Sequence, residues 1–138
     1  MRKIDLIVIH CADTPATMDI GAAEIRKWHV DGNGWADIGY HYVIRRSGDC
    51  EKGREDAVPG AHVSGHNNHS IGICLVGGKP NCNFTAQQWS TLNSLLVRLR
   101  GEYPNADLKG HNELDSLKSC PQFDVKAYQA APAWRAAL

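Results

Sequence analysis

The sequence predicts an α/β fold: a single domain over residues 1–138, with a mixed central β-sheet of about five strands flanked by about three helices. Three observations lead there. Short apolar runs of strand composition recur along the chain, and segments of helical period lie between and after them. The length of 138 residues, with 43% apolar and 22% charged side chains, suits one core that can stand without disulfide staples.

Taken in order, Ile4 to Ile9 (IDLIVI) reads as a buried strand that delivers His10 at its C-terminal end. Cys11 to Met18 is a loop around Thr14 and Pro15. Asp19 is a candidate N-cap for a helix to about Val30, with Ile25 and Trp28 on one face, and Asp31-Gly32-Asn33-Gly34 stops it. Tyr40 to Arg46 is rich in β-formers. Strict alternation there puts His41, Val43 and Arg45 on one face and Tyr40, Tyr42 and Ile44 on the other. Ser47, Gly48 and Asp49 turn the chain into a shorter strand near Cys50 to Arg54.

A loop from Pro59 to Asn68 follows, and Ser70 to Val76 (SIGICLV) is the best central strand, closed by Gly77 and Gly78. Thr85 with Gln88 three residues later forms a capping box. Behind it Trp89, Leu92, Leu96 and Leu99 keep helical spacing to about Tyr103. A short strand or loop from Asp107 brings in His111, and a last helix over Phe123 to Gln129 is limited by Pro132.

Charge and length exclude several classes of function. With 15 basic and 15 acidic residues the formal charge is zero, so no nucleic-acid partner is expected, because counterion release needs a surplus of Lys and Arg. No apolar stretch approaches the ~20 residues of a membrane span. Arg2 and Lys3 precede an apolar run too short and, with Asp5, too polar for a signal peptide, so synthesis in the cytoplasm is expected. The 5 cysteines, at positions 11, 50, 74, 82 and 120, form no disulfide framework, and a reducing compartment leaves them free.

Seven histidines in so short a chain point to a site. His111 and Cys120 lie nine positions apart in a polar, turn-rich segment. They could meet at one zinc ion, yet Cys120 fits a buried apolar thiol and His111 a loop residue equally well. His10 leaves a core strand for a cleft, or else sits at the sheet edge. His41 reads as structural. Tyr40 could be core or a phenol at the mouth of the site, and Lys118 a solvated charge or a group facing an oxyanion. His62, His66 and His69 cluster on a loop that could bind metal or substrate, or could simply be polar surface. Nucleophile elbows, phosphate loops, H-E-x-x-H and C-x-x-C are all absent. Glu51, Glu55 and Asp56 are available acids, but nothing marks a glycosidase pair among them.

The blocks IVIHCADTP, GYHYVIRRSG, GAHVSGHNNHSIGICLVGG, GHNEL and KSCPQFD follow one another in that order. Together they resemble the zinc-dependent N-acetylmuramoyl-L-alanine amidases of type 2, kin of the peptidoglycan recognition proteins, and among these the small phage endolysins. The similarity runs from Ile4 to about Phe123. It implies the amidase fold and one Zn²⁺ per chain on His10, His111 and Cys120. Tyr40 and Lys118 fall on the family's catalytic positions, and His62 and Asn67 on its substrate groove.

The implied reaction is hydrolysis of the amide between N-acetylmuramic acid and L-alanine in bacterial peptidoglycan by zinc-activated water. The implied setting is a monomeric endolysin of a phage or prophage, without a separate wall-binding domain. It is made in the host cytoplasm and reaches the periplasmic wall once the membrane is opened. Two rivals stay open: a non-catalytic peptidoglycan-binding module on the same fold, and a thiol hydrolase with Cys120 as nucleophile and His111 as base.

Overall fold

The computed structural model describes residues 2–130; Pro132, expected to limit the last helix, lies outside them. The strands are β1 (Leu6–Cys11), β2 (Thr14–Pro15), β3 (Tyr42–Ile44), β4 (Cys50–Lys52), β5 (Ser70–Leu75), β6 (Gly78–Lys79) and β7 (Asp107–Gly110). The helices are α1 (Ala22–Lys27), α2 (Ala86–Glu102), α3 (His111–Leu114) and α4 (Val125–Ala130), with a π-helical turn at Trp28–Gly32 and a 3₁₀ turn at Asn67–His69. Five strands form one mixed sheet in the order β4-β3-β5-β1-β7, and β2 pairs with β6 in a small parallel ribbon. Within the large sheet β1 runs parallel to β5 and β7, β3 runs parallel to β5, and only β4 is antiparallel. The expected architecture is thus the observed one.

Parity along the strands sorts the side chains. Ile7 and Ile9 of β1, Ile71, Ile73 and Leu75 of β5, and Tyr42 and Ile44 of β3 join Leu92, Leu95, Leu96 and Leu99 of α2 in the main core. Their odd-numbered neighbours in space are matched by register, Ile7 opposite Ile71 and Ile9 opposite Ile73. The alternate residues face the other way. Leu6 and Val8 pack with Val63, while Val43, Cys74 and Val76 pack with Ile25 and Ile38. His10, Ser70 and Gly72 share the parity of that second face.

The capping box forms as expected. Thr85 Oγ1 accepts from the Gln88 amide at 3.1 Å, and Gln88 Oε1 accepts from the Thr85 amide at 3.0 Å. Gln88 is fully buried and its Nε2 also donates to the carbonyls of Ile44 and Val76, so the cap fastens α2 to β3 and β5.

Three local expectations change. The first helix starts at Ala22, not after Asp19, because Glu24 accepts from the Gly21 amide and Glu51 accepts from the Ala22 amide, while Asp19 instead faces Arg45. Trp28 does not share the buried face of Ile25; it is 45% exposed at the start of the π-helical turn. Thr14 and Pro15, read as loop, form β2 because the Gly77–Gly78 turn brings β6 alongside.

Candidate active site

Strand β1 ends by placing His10 on the second face of the sheet, and β7 runs directly into α3, whose first residue is His111. Since β1 and β7 are neighbours, the two imidazoles meet: their Nδ1 atoms stand 3.1 Å apart, with ring centroids at 4.5 Å. Cys120 arrives on the loop after α3. The Asn112 amide donates to the Cys120 carbonyl at 2.8 Å, which folds the segment back over His111. The Lys118 amide donates to the Asp115 carbonyl within the same loop. A cleft of about 430 Å³ opens between these parts, with His10, Tyr40, His111, Lys118 and Cys120 on its walls.

Cys120 is joined to Cys11 by a disulfide, which the sequence reading, with all thiols free, did not expect. The two cysteines end adjacent strand and loop segments, so a contact between residues 109 positions apart leaves no trace in local pattern. The Cys11 amide also points at the Cys120 sulfur at 3.1 Å. Among the described residues no three His, Cys, Asp or Glu side chains stand ready to hold a metal ion, and Cys120 is bonded to Cys11.

Electrostatics keep the cleft imidazoles neutral. Burial pushes His10 well below the usual histidine range, and the neighbouring His62 and His111 push the same way. His111 is lowered by burial, against an upward pull from Asp115, with the Lys118 ammonium adding a smaller push downward. Tyr40 is raised well above the phenol range by burial and by the Cys74 thiol beside it, so it stays a proton-bearing donor. Its ring lies 5.2 Å from that of His10. Alternation puts Tyr40 on the same face as Tyr42 and Ile44, which the structure turns toward α2. Regular strand begins only at Tyr42, and Tyr40 instead packs with Val43 and Cys74 on the face of the cleft.

The other histidines divide cleanly. His41 is structural, as read: its Nε2 donates to the Val58 carbonyl at 2.8 Å and its Nδ1 accepts from the Gly72 amide at 3.0 Å. His69 pairs with Asp5 at 2.6 Å and His66 leans on His69. His62 turns inward, with Nδ1 at 2.9 Å from His10 and Nε2 at 3.0 Å from Ser70. Asn67 Oδ1 accepts from the amides of His62 and Val63, both at 2.9 Å. Both groups proposed for the substrate groove therefore spend polar atoms inside the protein. Two of the three candidate acids are occupied too: Glu51 caps α1, and Asp56 accepts from Tyr42, Tyr103 and Lys52, while Glu55 is exposed.

Two residues escaped the sequence reading. Ser70 touches His62 from the start of β5, and His29 accepts from the Gly39 amide and lies, tilted, between the rings of Trp35 and Tyr40. For Ser70 a signal existed: in SIGICL the small polar positions Ser70, Gly72 and Cys74 alternate with Ile71, Ile73 and Leu75.

The family model for N-acetylmuramoyl-L-alanine amidase matches residues 1–123. The chain belongs to that family. It is also similar to the endolysin of Klebsiella phage KP32, 47% identical over 132 residues that cover 92% of this chain and 86% of the relative. Among solved structures, the amidase LysC from Clostridium intestinale URNW superposes with a TM-score of 0.83 at 29% identity, covering 94% of this chain and 85% of LysC. The Ph2119 endolysin from a Thermus scotoductus MAT2119 bacteriophage gives 0.82 at 28%, covering 94% and 84%. The chain is thus a peptidoglycan amidase, and its cleft is the place to look for the chemistry. No helix among the described residues is long and apolar enough to cross a membrane.

Proposed function

We propose that this amidase is a zinc-dependent endolysin that cuts the amide between N-acetylmuramic acid and L-alanine, with residues 1–138 acting as one monomeric catalytic domain. The zinc ligands are His10, His111 and, once its bond to Cys11 is reduced, Cys120. The observation that carries this reading is the 3.1 Å approach of the two Nδ1 atoms. Two nitrogens bound at 2.0–2.1 Å to a tetrahedral zinc lie about 3.3 Å apart, so the imidazoles need little movement to share one ion. The donor chemistry fits as well. Both rings are held neutral by burial, and Cys120 presents a sulfur to the same cleft.

When bound, zinc supplies a Lewis acid and lowers the pKa of a water to about 7. The chain's own groups do the rest. Tyr40, kept protonated, donates its phenolic hydrogen toward the oxyanion that develops on the scissile carbonyl. Lys118, exposed on the cleft wall, adds positive charge at the mouth, where it offsets the same developing charge and favours an anionic substrate. His62 and Asn67 stay behind the ligands. The relatives that are endolysins, together with synthesis in a reducing cytoplasm, support a protein loaded with metal before the membrane is opened.

Metal analysis combined with digestion of peptidoglycan sacculi tests this. The reduced chain is expected to hold one zinc and to release new L-alanine amino termini, whereas the disulfide form should take up little metal. Chelation should stop the reaction and zinc should restore it. Full activity in the metal-free chain overturns the zinc role. Cys120→Asp separates ligand from nucleophile, because a carboxylate can hold zinc but cannot act as a thiol. Residual activity in that variant excludes the thiol hydrolase.

A further inference from the structure

We propose that Ser70 and His62 form a buried relay that fixes the tautomer and ring orientation of His10, so that its Nδ1 lone pair faces His111. His62 is then a positioning residue, and it does not contact substrate. The inference deepens the zinc reading above and rests on it for its functional consequence, but the tautomer itself can be tested without metal.

Proton counting gives the direction of every bond. Ser70 is fully buried, and its hydroxyl has one hydrogen, which it donates to the His66 carbonyl at 2.7 Å. Toward His62 Nε2, at 3.0 Å, the Ser70 oxygen can therefore only accept. His62 must carry its hydrogen on Nε2. The ring is buried with only Ser70 and His10 as hydrogen-bond partners and no carboxylate against it, so a second hydrogen would leave an uncompensated buried charge, and its Nδ1 is bare. That bare nitrogen lies 2.9 Å from His10 Nε2, so His10 donates there. A neutral His10 has no second hydrogen, and its Nδ1 is left as a lone pair 3.1 Å from His111 Nδ1.

The surroundings leave the relay no slack. A Cβ on Gly72 would stand 2.6 Å from His62 Cγ, and one on Gly60 would stand 2.7 Å from His62 Cδ2. The ring is thus pressed between two backbone segments that only glycine can supply at such distances. Asn67 holds the His62 and Val63 amides, which fixes the loop from which the ring descends. Hydrogen-bonded partners of this kind orient a metal-binding imidazole and raise its basicity, and losing one costs about 10–100-fold in metal affinity.

The test uses the full chain, reduced, with ¹⁵N-labelled histidine. In the metal-free protein, long-range ¹H–¹⁵N spectra should show hydrogen on Nε2 and none on Nδ1 for both His10 and His62. Hydrogen on Nδ1 of either ring overturns the relay, whatever the chain does with zinc. Zinc competition against a chromogenic chelator then reads the consequence. Ser70→Ala should weaken zinc binding by about 10-fold or more, and Ser70→Thr, which keeps the hydroxyl, should recover part of it. His62→Gln should weaken zinc binding with KM for peptidoglycan unchanged at saturating zinc. A raised KM with zinc affinity intact would return His62 to the substrate groove and overturn the proposal. A wild-type chain that binds no zinc, yet shows the stated tautomers, removes the zinc reading and leaves the relay standing.

Discussion

The two faces of the central sheet are made from the same strands and do opposite work. Toward α2, β1 and β5 present Ile7, Ile9, Ile71, Ile73 and Leu75, all fully buried against leucines. Toward the cleft the same strands present His10, Ser70, Gly72 and Cys74, one residue out of step. The first face gains from the removal of apolar area from water, about 25 cal/mol per Å², and from close packing. The second buries imidazoles, a hydroxyl and a thiol, each of which must find a partner or pay in desolvation. The partners found are one another. A strand buried on both sides can thus carry a catalytic centre at no cost to its hydrophobic face, because parity keeps the two chemistries apart.

One substitution in the cleft and one on the α2 face should separate the two most sharply. His111→Ala removes a proposed ligand and should drop L-alanine release by about 10³-fold or more, the several kcal/mol that a Lewis acid contributes. In the metal-free chain its effect on unfolding should be slight by comparison. Ile73→Ala, on the α2 face, should cost about 2–5 kcal/mol of stability in urea unfolding while kcat of the folded fraction stays near wild type. If His111→Ala keeps its activity, or Ile73→Ala loses kcat while folded, the division of labour between faces fails.

Within the cleft the contrast continues between buried and exposed groups. Tyr40→Phe removes a donor held in place by burial and should lower kcat by about 10²-fold with zinc content unchanged. Lys118→Ala removes a charge exposed to solvent, and screening limits its effect to about 10-fold. Steady-state kinetics on sacculi with metal content measured in parallel check both. A Tyr40→Phe enzyme with wild-type kcat would make Tyr40 a packing residue of the second face.

How much of this was legible in the sequence follows the range of the interactions. The α2 side of the core could be read directly, because the apolar runs IDLIVI and SIGICLV and the helical spacing of Leu92, Leu96 and Leu99 are local. So was the Thr85–Gln88 cap. The cleft was legible only through resemblance, since spacing alone left His10, His111 and Cys120 with ordinary alternatives. Tyr40 was assigned to the wrong face because alternation was extended two residues before regular strand begins. The inward turn of His62 depends on Gly60 and Gly72, which approach its ring from separate segments, and the Cys11–Cys120 bond spans 109 residues. Neither leaves a periodic signal.

Acid should discriminate the faces as well, with the smallest effect per residue. The α2 face holds no histidine, whereas burial lowers His10, His29, His41, His62 and His111 together. His41 is the useful probe, because its ring hydrogen-bonds to backbone alone, with the Arg2 guanidinium close beside its Nε2, and takes no part in the proposed ligand set. Burial lowers it to about 4, with Arg2 adding to the shift and the Val58 carbonyl opposing it. In the unfolded chain it titrates near 6.5. Between those values the unfolded state binds more protons than the folded one, so stability is full above about pH 6.5 and is lost as pH falls toward 4. One such group contributes up to about 1.4 kcal/mol per pH unit across that window. Urea unfolding of the reduced, metal-free chain at pH 7, 6 and 5 should therefore show a falling stability, and His41→Gln should flatten the fall by up to that amount whatever it does to stability at pH 7. An equal slope in the variant would mean that His41 is charged in the folded protein, and that the second face tolerates a buried imidazolium beside Arg2.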